Sequence, residues 1–388
     1  MKTFDYSLVK DPQYFKDGRM DAHSDHTYYR DGEEAKEKET SFRYDLNGIW
    51  KFHYARNYGS AIPEFEKTEY CCKDWDDIRV PAHIQMEGYD VPQYANVQYP
   101  WEGREEVEPG QIPERFNPVA SYVKYFEVPE EMEGKKVFIS FQGAESGIAV
   151  WLNGNFVGYS EDTFTPSEFE LTPYLKEGDN VLSVRVDHSR YADSRWYTGS
   201  GIYRDVWLIA APEIHLAQWG TGWHATSLTN RQATIAVDME VQKHIATNDR
   251  LELSATLYDA AGKQVAQRRT RVSDGKEGIT KENLTLKITN PHRWNLDDPY
   301  LYTLKTELLS NGQRIDGCET KVGLRTLKFD PNKGFALNDN WMKVKGVCLH
   351  HDAGVLGAVV PPEVWERRLN NLKEIGVNAI RMSHNPQA

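Results

Sequence analysis

The chain has 388 residues, 39% hydrophobic and 12% aromatic, enough apolar material for two or three packed domains and too much for general disorder. Its 58 acidic against 46 basic side chains leave a formal charge of -12, which disfavours anionic partners, nucleic acid and membrane surfaces alike. Mean hydropathy is -0.67, and no run approaches the roughly 20 apolar residues of a membrane-spanning helix.

Residues 1–40 are polar and end in the charge run Arg30 to Lys38, which predicts an extension laid over the surface or, equally, a disordered tail. Asp5, Lys10 and Asp11 interrupt any apolar leader, so no export signal is visible. That favours a cytoplasmic location, or a periplasmic or secreted one if a leader has been removed. Cys71, Cys72, Cys318 and Cys348 have neither the density of a disulfide scaffold nor the spacing of a zinc site.

Residues 41–213 read as a β-sandwich built of short strands and turns. Val137 to Phe141 and Ile148 to Leu152 are β-rich runs, and Asn153-Gly154 supplies the positive-φ residues of a tight hairpin before Phe156 to Tyr159. Leu182, Val184 and Val186 alternate with Ser183, Arg185 and Asp187, which predicts a strand with one buried face. A second all-β unit spans 214–329, where Ala233, Ile235, Val237, Met239 and Val241 repeat the same period and strands recur at immunoglobulin-like spacing.

From residue 330 to residue 388 the period changes. Lys343 to Leu349 is strand-like. Pro361-Pro362-Glu363 opens a helix with Trp365, Leu369, Leu372 and Ile375 on one face, Gly376 favours its end, and Val377 to Met382 makes a second strand. A β-α-β unit makes its two strands parallel, which predicts that His350 and His384 share the C-terminal edge of one sheet, the edge that holds active sites in open α/β sheets and (β/α)8 barrels. A single unit cannot close a barrel, so the sequence reads as truncated.

Seven segments carry a further signal by their order: Val80 to Tyr89, Tyr94 to Pro100, Gly158 to Asp162, Thr165 to Phe169, Ser200 to Val206, Gly346 to Asp352 and Ile380 to Pro386. Together they resemble the family 2 glycoside hydrolases, and among these the large β-galactosidases, from about residue 41 onward. The resemblance implies a mainly β chain: a jelly-roll β-sandwich, an immunoglobulin-like β-sandwich, then the first β-α-β unit of a (β/α)8 barrel. It implies a retaining reaction on a β-galactoside, in which one carboxyl protonates the leaving oxygen and another, about 5 Å away, forms a glycosyl-enzyme intermediate. The family's two glutamates lie on later barrel strands, beyond Ala388, so this chain alone is expected to be inactive. The homo-oligomeric assembly and the magnesium and sodium ions expected of the full-length enzyme also come from the resemblance.

By the same resemblance Asn96 and Asp162 match positions that contact the galactosyl unit, and Asp162 also matches a sodium ligand. An amide and a carboxylate suit sugar hydroxyls, although each residue is also a common turn former that bonds its own backbone. His350 and His384 match hydroxyl-binding barrel positions, with Arg381 in a supporting role. Arg195-Trp196-Tyr197 and Tyr203-Arg204-Asp205 are read first as an interface between jelly roll and barrel, and second as a surface against which a sugar stacks. Glu102, Glu105 and Glu106 are read as a solvated face rather than an acid/base pair. The rival class of function is a free-standing carbohydrate-binding module; within the family, β-glucuronidase and β-mannosidase activities stay open.

Overall fold

The computed structural model describes residues 4–21, 27–91, 101–108, 111–187, 199–383 and 385–387. The first unit is a sandwich of antiparallel sheets. Its seven-stranded sheet runs, edge to edge, Lys16–Asp17, Asn155–Ser160, Gly147–Leu152, Asn180–Asp187, Val119–Phe126, Gly48–Ala55 and Asp76–Val80. The facing four-stranded sheet has the order Ser167–Glu170, Lys136–Phe141, Val206–Ala211 and Arg43–Asp45. Trp50, Phe52, Tyr122, Ile139, Phe141, Val184 and Leu208 interdigitate between them as one core.

The predicted hairpin is present. Gly147–Leu152 pairs antiparallel with Asn155–Ser160, and Asn153 and Gly154 take φ values of 51° and 79°. Two positive φ values in succession are what a two-residue turn matched to the right-handed strand twist requires.

One expectation changes. The strand Asn180–Asp187 is buried on both faces, not one: Leu182 and Val184 are 0% exposed, and Ser183 and Arg185 on the other side only 1% and 5%. The second face lies under a smaller apolar cluster in which Val9, Phe65, Cys72 and Trp75 cover Val123, Ala149, Trp151 and Tyr159. The N-terminal segment contributes to that cover through Val9, which is 0% exposed, with Phe4, Tyr6 and Tyr14 beside it. It also adds an edge strand, Lys16–Asp17, against Tyr159–Ser160. The charge run folds into the short helix Gly32–Glu37, whose free N–H groups at Glu33 and Glu34 are capped by the Asp31 carboxylate.

The second sandwich faces a three-stranded sheet, Ile214–Leu228, Gln232–Lys243 and Gly278–Thr289, with a four-stranded one, Gln264–Arg271, Leu251–Tyr258, Tyr302–Ser310 and Gln313–Val322. Period-two alternation places Ala233, Ile235, Val237, Met239 and Val241, each 0% exposed, in its core. A three-stranded antiparallel sheet over Leu327–Asp330, Gly334–Leu337 and Asn340–Met342 follows.

The last unit has the predicted connectivity. Gly346–Leu349 and Ala379–Met382 are parallel, with Val347 opposite Ile380 and Leu349 opposite Met382, and the helix Pro362–Glu374 crosses between them. Gly376, at φ 82°, ends that helix by returning its N–H to the Lys373 carbonyl.

Candidate functional site at the edge of the parallel strands

The site begins where the two parallel strands end. Past Leu349 the chain reaches His350, His351 and Asp352; past Met382 it reaches Ser383, whose N–H donates to the Leu349 carbonyl at 2.8 Å. His350 is half-buried. Arg381, on the second strand, donates to Ser383 Oγ at 3.2 Å and approaches Cys348 Sγ at 3.7 Å, so it braces the edge across both strands. His384 and Asn96 lie outside the described residues, as does the Arg195-Trp196-Tyr197 segment.

Jelly-roll loops meet this edge. Asp162 sits at the start of the turn that follows Asn155–Ser160, and its Oδ1 accepts from the Phe164 and Thr165 N–H groups, each at 3.2 Å. Its Oδ2 takes the Thr165 hydroxyl and, at 3.2 Å, the guanidinium of Arg19 from the N-terminal segment. Arg19, with 8% of its side chain exposed, also donates to Thr165 Oγ1 and the Pro166 carbonyl, so a buried cation organises the loop. As placed, both Asp162 oxygens face hydrogen-bond donors and a cation rather than further oxygen ligands. Among the described residues no group of three or more His, Cys, Asp or Glu side chains is arranged to hold a metal.

The Asp162 turn presents Phe164 to the strand edge, and its ring meets that of His351 at 4.9 Å and 66°. Tyr203 and Arg204 tie the loops together. The Tyr203 hydroxyl donates to the Thr163 carbonyl at 2.8 Å, and Arg204 donates to the Phe164 carbonyl at 2.8 Å and to the Pro386 carbonyl at 2.9 Å. Those bonds join the jelly roll to the C-terminal strand edge, in keeping with the interface role for Tyr203 and Arg204. From the other side, Gln85 exchanges hydrogen bonds with the Ser200 backbone and hydroxyl, at 3.0 and 2.9 Å, and the Ile84 N–H donates to the Ser200 carbonyl at 3.0 Å. Segments 80–89, 158–162, 165–169, 200–206, 346–352, 380–383 and 385–386, distant in sequence, thus assemble around one edge.

Two histidines that the sequence motifs did not single out are buried here. His351 is 4% exposed, and Asn385 Nδ2 lies 3.4 Å from its Nδ1. Burial pushes its pKa down to about 4; the Asp352 charge opposes the shift, and Arg204, His350 and His83 add to it. His83, 3% exposed, is likewise pushed down to about 4 by burial, against Asp352. Both imidazoles are neutral at pH 7. Their signal was in the sequence, within Val80 to Tyr89 and beside His350, but nothing in a linear motif says which of two adjacent histidines a loop will cover. The jelly roll also holds a buried carboxyl. Asp187, 2% exposed at the end of its strand, has neither side-chain oxygen hydrogen-bonded among the described residues, and burial lifts its pKa to about 7 although Arg185 pulls the other way.

The acidic loop reads differently from a catalytic pair. Burial pulls the Glu105 pKa up, but the N–H groups of Glu114, Arg115 and Phe116 outweigh it and hold the carboxylate below its usual range. With those amides at 2.9, 2.7 and 3.4 Å, Glu105 is a brace between two loop segments.

Two family descriptions match this arrangement in series: "Glycosyl hydrolases family 2, sugar binding domain" over residues 43–212 and "Glycosyl hydrolases family 2" over residues 219–325. The chain belongs to glycosyl hydrolase family 2. Among its relatives in that family, a β-galactosidase of Halalkalibacterium halodurans is 41% identical over 100% of this chain, which spans 38% of the relative's own length. A solved β-glycosidase of Bacteroides vulgatus is 31% identical and superposes with a TM-score of 0.71 over 89% of this chain and 42% of its own. A β-glucuronidase of Bacteroides uniformis superposes with a TM-score of 0.75 over 89% of this chain and 40% of its own, but at 23% identity it speaks only to the family 2 fold.

Proposed function

We propose that this family 2 chain is the N-terminal part of a retaining β-galactosidase that hydrolyses terminal non-reducing β-D-galactosides. The observation that carries the reading is the convergence of jelly-roll loops on the C-terminal edge of a parallel β-α-β unit, supported by a 41% identical β-galactosidase that matches along the whole chain. In this reading the parallel pair opens a (β/α)8 barrel, and the jelly roll forms one wall of its mouth.

The chain's own residues bind and orient the sugar. Asn96, Asp162, His350 and His384 hold hydroxyls of the galactosyl unit, and Arg381 positions the strand edge beneath them. Imidazole ring nitrogens can donate or accept hydrogen bonds, which suits a hydroxyl that does both. The covalent chemistry falls to two glutamates on later strands: one protonates the departing oxygen and then activates water, while the other is the nucleophile. Magnesium and sodium, which the resemblance links to the full-length enzyme, take no part in any step assigned to these residues.

The test is hydrolysis of an aryl β-galactoside. This chain alone is expected to show no turnover above buffer, and the product of an extended reading frame is expected to be active; turnover by this chain alone would sink the reading. The rival, a free-standing binding module, is judged by calorimetry with galactose and lactose, where heat lost on Asn96→Ala or Asp162→Ala would favour it and no heat would count against it. An extended protein that cleaves aryl β-glucuronides and spares β-galactosides would move the activity to the glucuronidases, whose fold this chain shares.

A further inference from the structure

His83 joins two units through a bond that only a neutral ring can accept. It lies just past the strand Asp76–Val80 in the jelly roll, yet its Nδ1 accepts the backbone N–H of Ala358, on the loop that follows the strand Gly346–Leu349, at 3.3 Å. Two glycines form its socket. A Cβ added at Gly199 would stand 1.3 Å from His83 Nε2, and one added at Gly357 would stand 2.2 Å from Nδ1, so only glycine lets both backbones close on the ring. Nε2 is fully buried with no hydrogen-bond partner among the described residues.

The acceptor role has a strict consequence. Protonation would place a hydrogen on Nδ1 facing the hydrogen of the Ala358 N–H, so the bond is lost and a charge is left in a dry socket. We infer that His83 is a positioning residue: its neutral imidazole latches the jelly roll to the loop 353–358 beside His350 and His351, and proton uptake releases the latch. Asp352, just before that loop, is the charge that favours proton uptake, and His351 the neighbouring base that opposes it. The Gly199 to Gly201 segment on the opposite side carries no titratable side chain, and Gln85 and Ser200 there are occupied with each other. The inference rests on the proposed function only in calling this edge a sugar site; the latch is a property of the chain itself.

The experiment is hydrogen exchange of the Ala358 amide in the full chain, corrected for intrinsic rates, between pH 7.5 and 4, with the core amide of Val184 reporting global opening. With an imidazole of ordinary pKa 6.5 when open and about 4 when latched, protection should fall about tenfold per pH unit between those values while Val184 stays protected. His83→Asn places an uncharged acceptor at the same bond depth and should keep Ala358 protected through that window. His83→Phe fills the socket without an acceptor and should expose the amide already at pH 7. Protection in His83→Phe equal to the native chain, or native and His83→Asn curves that fall together, would overturn the latch. Should His83→Phe not fold, the comparison of the native chain with His83→Asn still decides. None of these outcomes depends on turnover, so failure of the β-galactosidase reading is separately visible.

Discussion

The strand Asn180–Asp187 and the strand Ala379–Met382 were both legible as β-structure, yet the molecule treats them oppositely. The first is covered on both faces, with Val184 at 0% and Arg185 at 5% exposure. The second leaves Ile380 and Met382 41% and 61% exposed, and across the crossover helix Leu369 is 45% exposed and no residue is buried. Parallel strands connected by helices are ordinarily buried on both sides. The antiparallel sandwiches close on themselves with local hairpins, whereas a two-stranded parallel unit has neighbours only if further β-α units supply them.

That contrast yields predictions in order of size. Phe141→Ala, in the closed jelly-roll core at 0% exposure, should cost about 3–5 kcal/mol, read as a drop in the urea midpoint at constant slope. A loss under about 1 kcal/mol would mean that the core is looser than its packing implies.

Asp187→Asn should stabilise at high pH and lose that effect as pH falls. The native carboxyl titrates at about 7 when folded against 3.8 when unfolded, so the stability it contributes is present below 3.8, is lost progressively as pH rises, and is gone above about 7. At pH 8 the amide variant should therefore be more stable by roughly 1–3 kcal/mol, and at pH 3.5 nearly equal, by thermal melts at both values. A variant less stable than the native chain at pH 8 would mean that the carboxylate is paired in solution.

Arg19→Ala removes the buried cation that organises the Asp162 turn, but Asp162 is partly solvated, so about 1–2 kcal/mol is expected, together with faster exchange of the Phe164 and Thr165 amides. Unchanged exchange would assign the turn to its backbone alone. Smallest of all, Leu369→Ser on the exposed helix face should change stability by less than about 0.5 kcal/mol in this chain and by more in the extended protein proposed above. An equal effect in both would break the contrast between closed sandwiches and open unit.

Much of the site's scaffold could be read in advance because its signals are local. Asn153-Gly154 specifies a turn whatever surrounds it, and Pro361-Pro362 with Gly376 brackets a helix. The site's working contacts could not. Asp162 is both a turn former and a site candidate in the sequence; only the fold shows Arg19, 143 residues away, holding its carboxylate. His350 and His351 are chemically alike and adjacent, and burial against Phe164 distinguishes them.

Sequence alone determined the order of sandwich, sandwich and β-α-β unit, the strand periods and the turns, because alternation and turn chemistry act over a few residues. Tertiary structure alone decided which faces are covered twice, which imidazoles are dry and neutral, and which loops meet at the parallel edge. Desolvation and long-range contact depend on what packs above a residue, and a linear pattern carries no record of that.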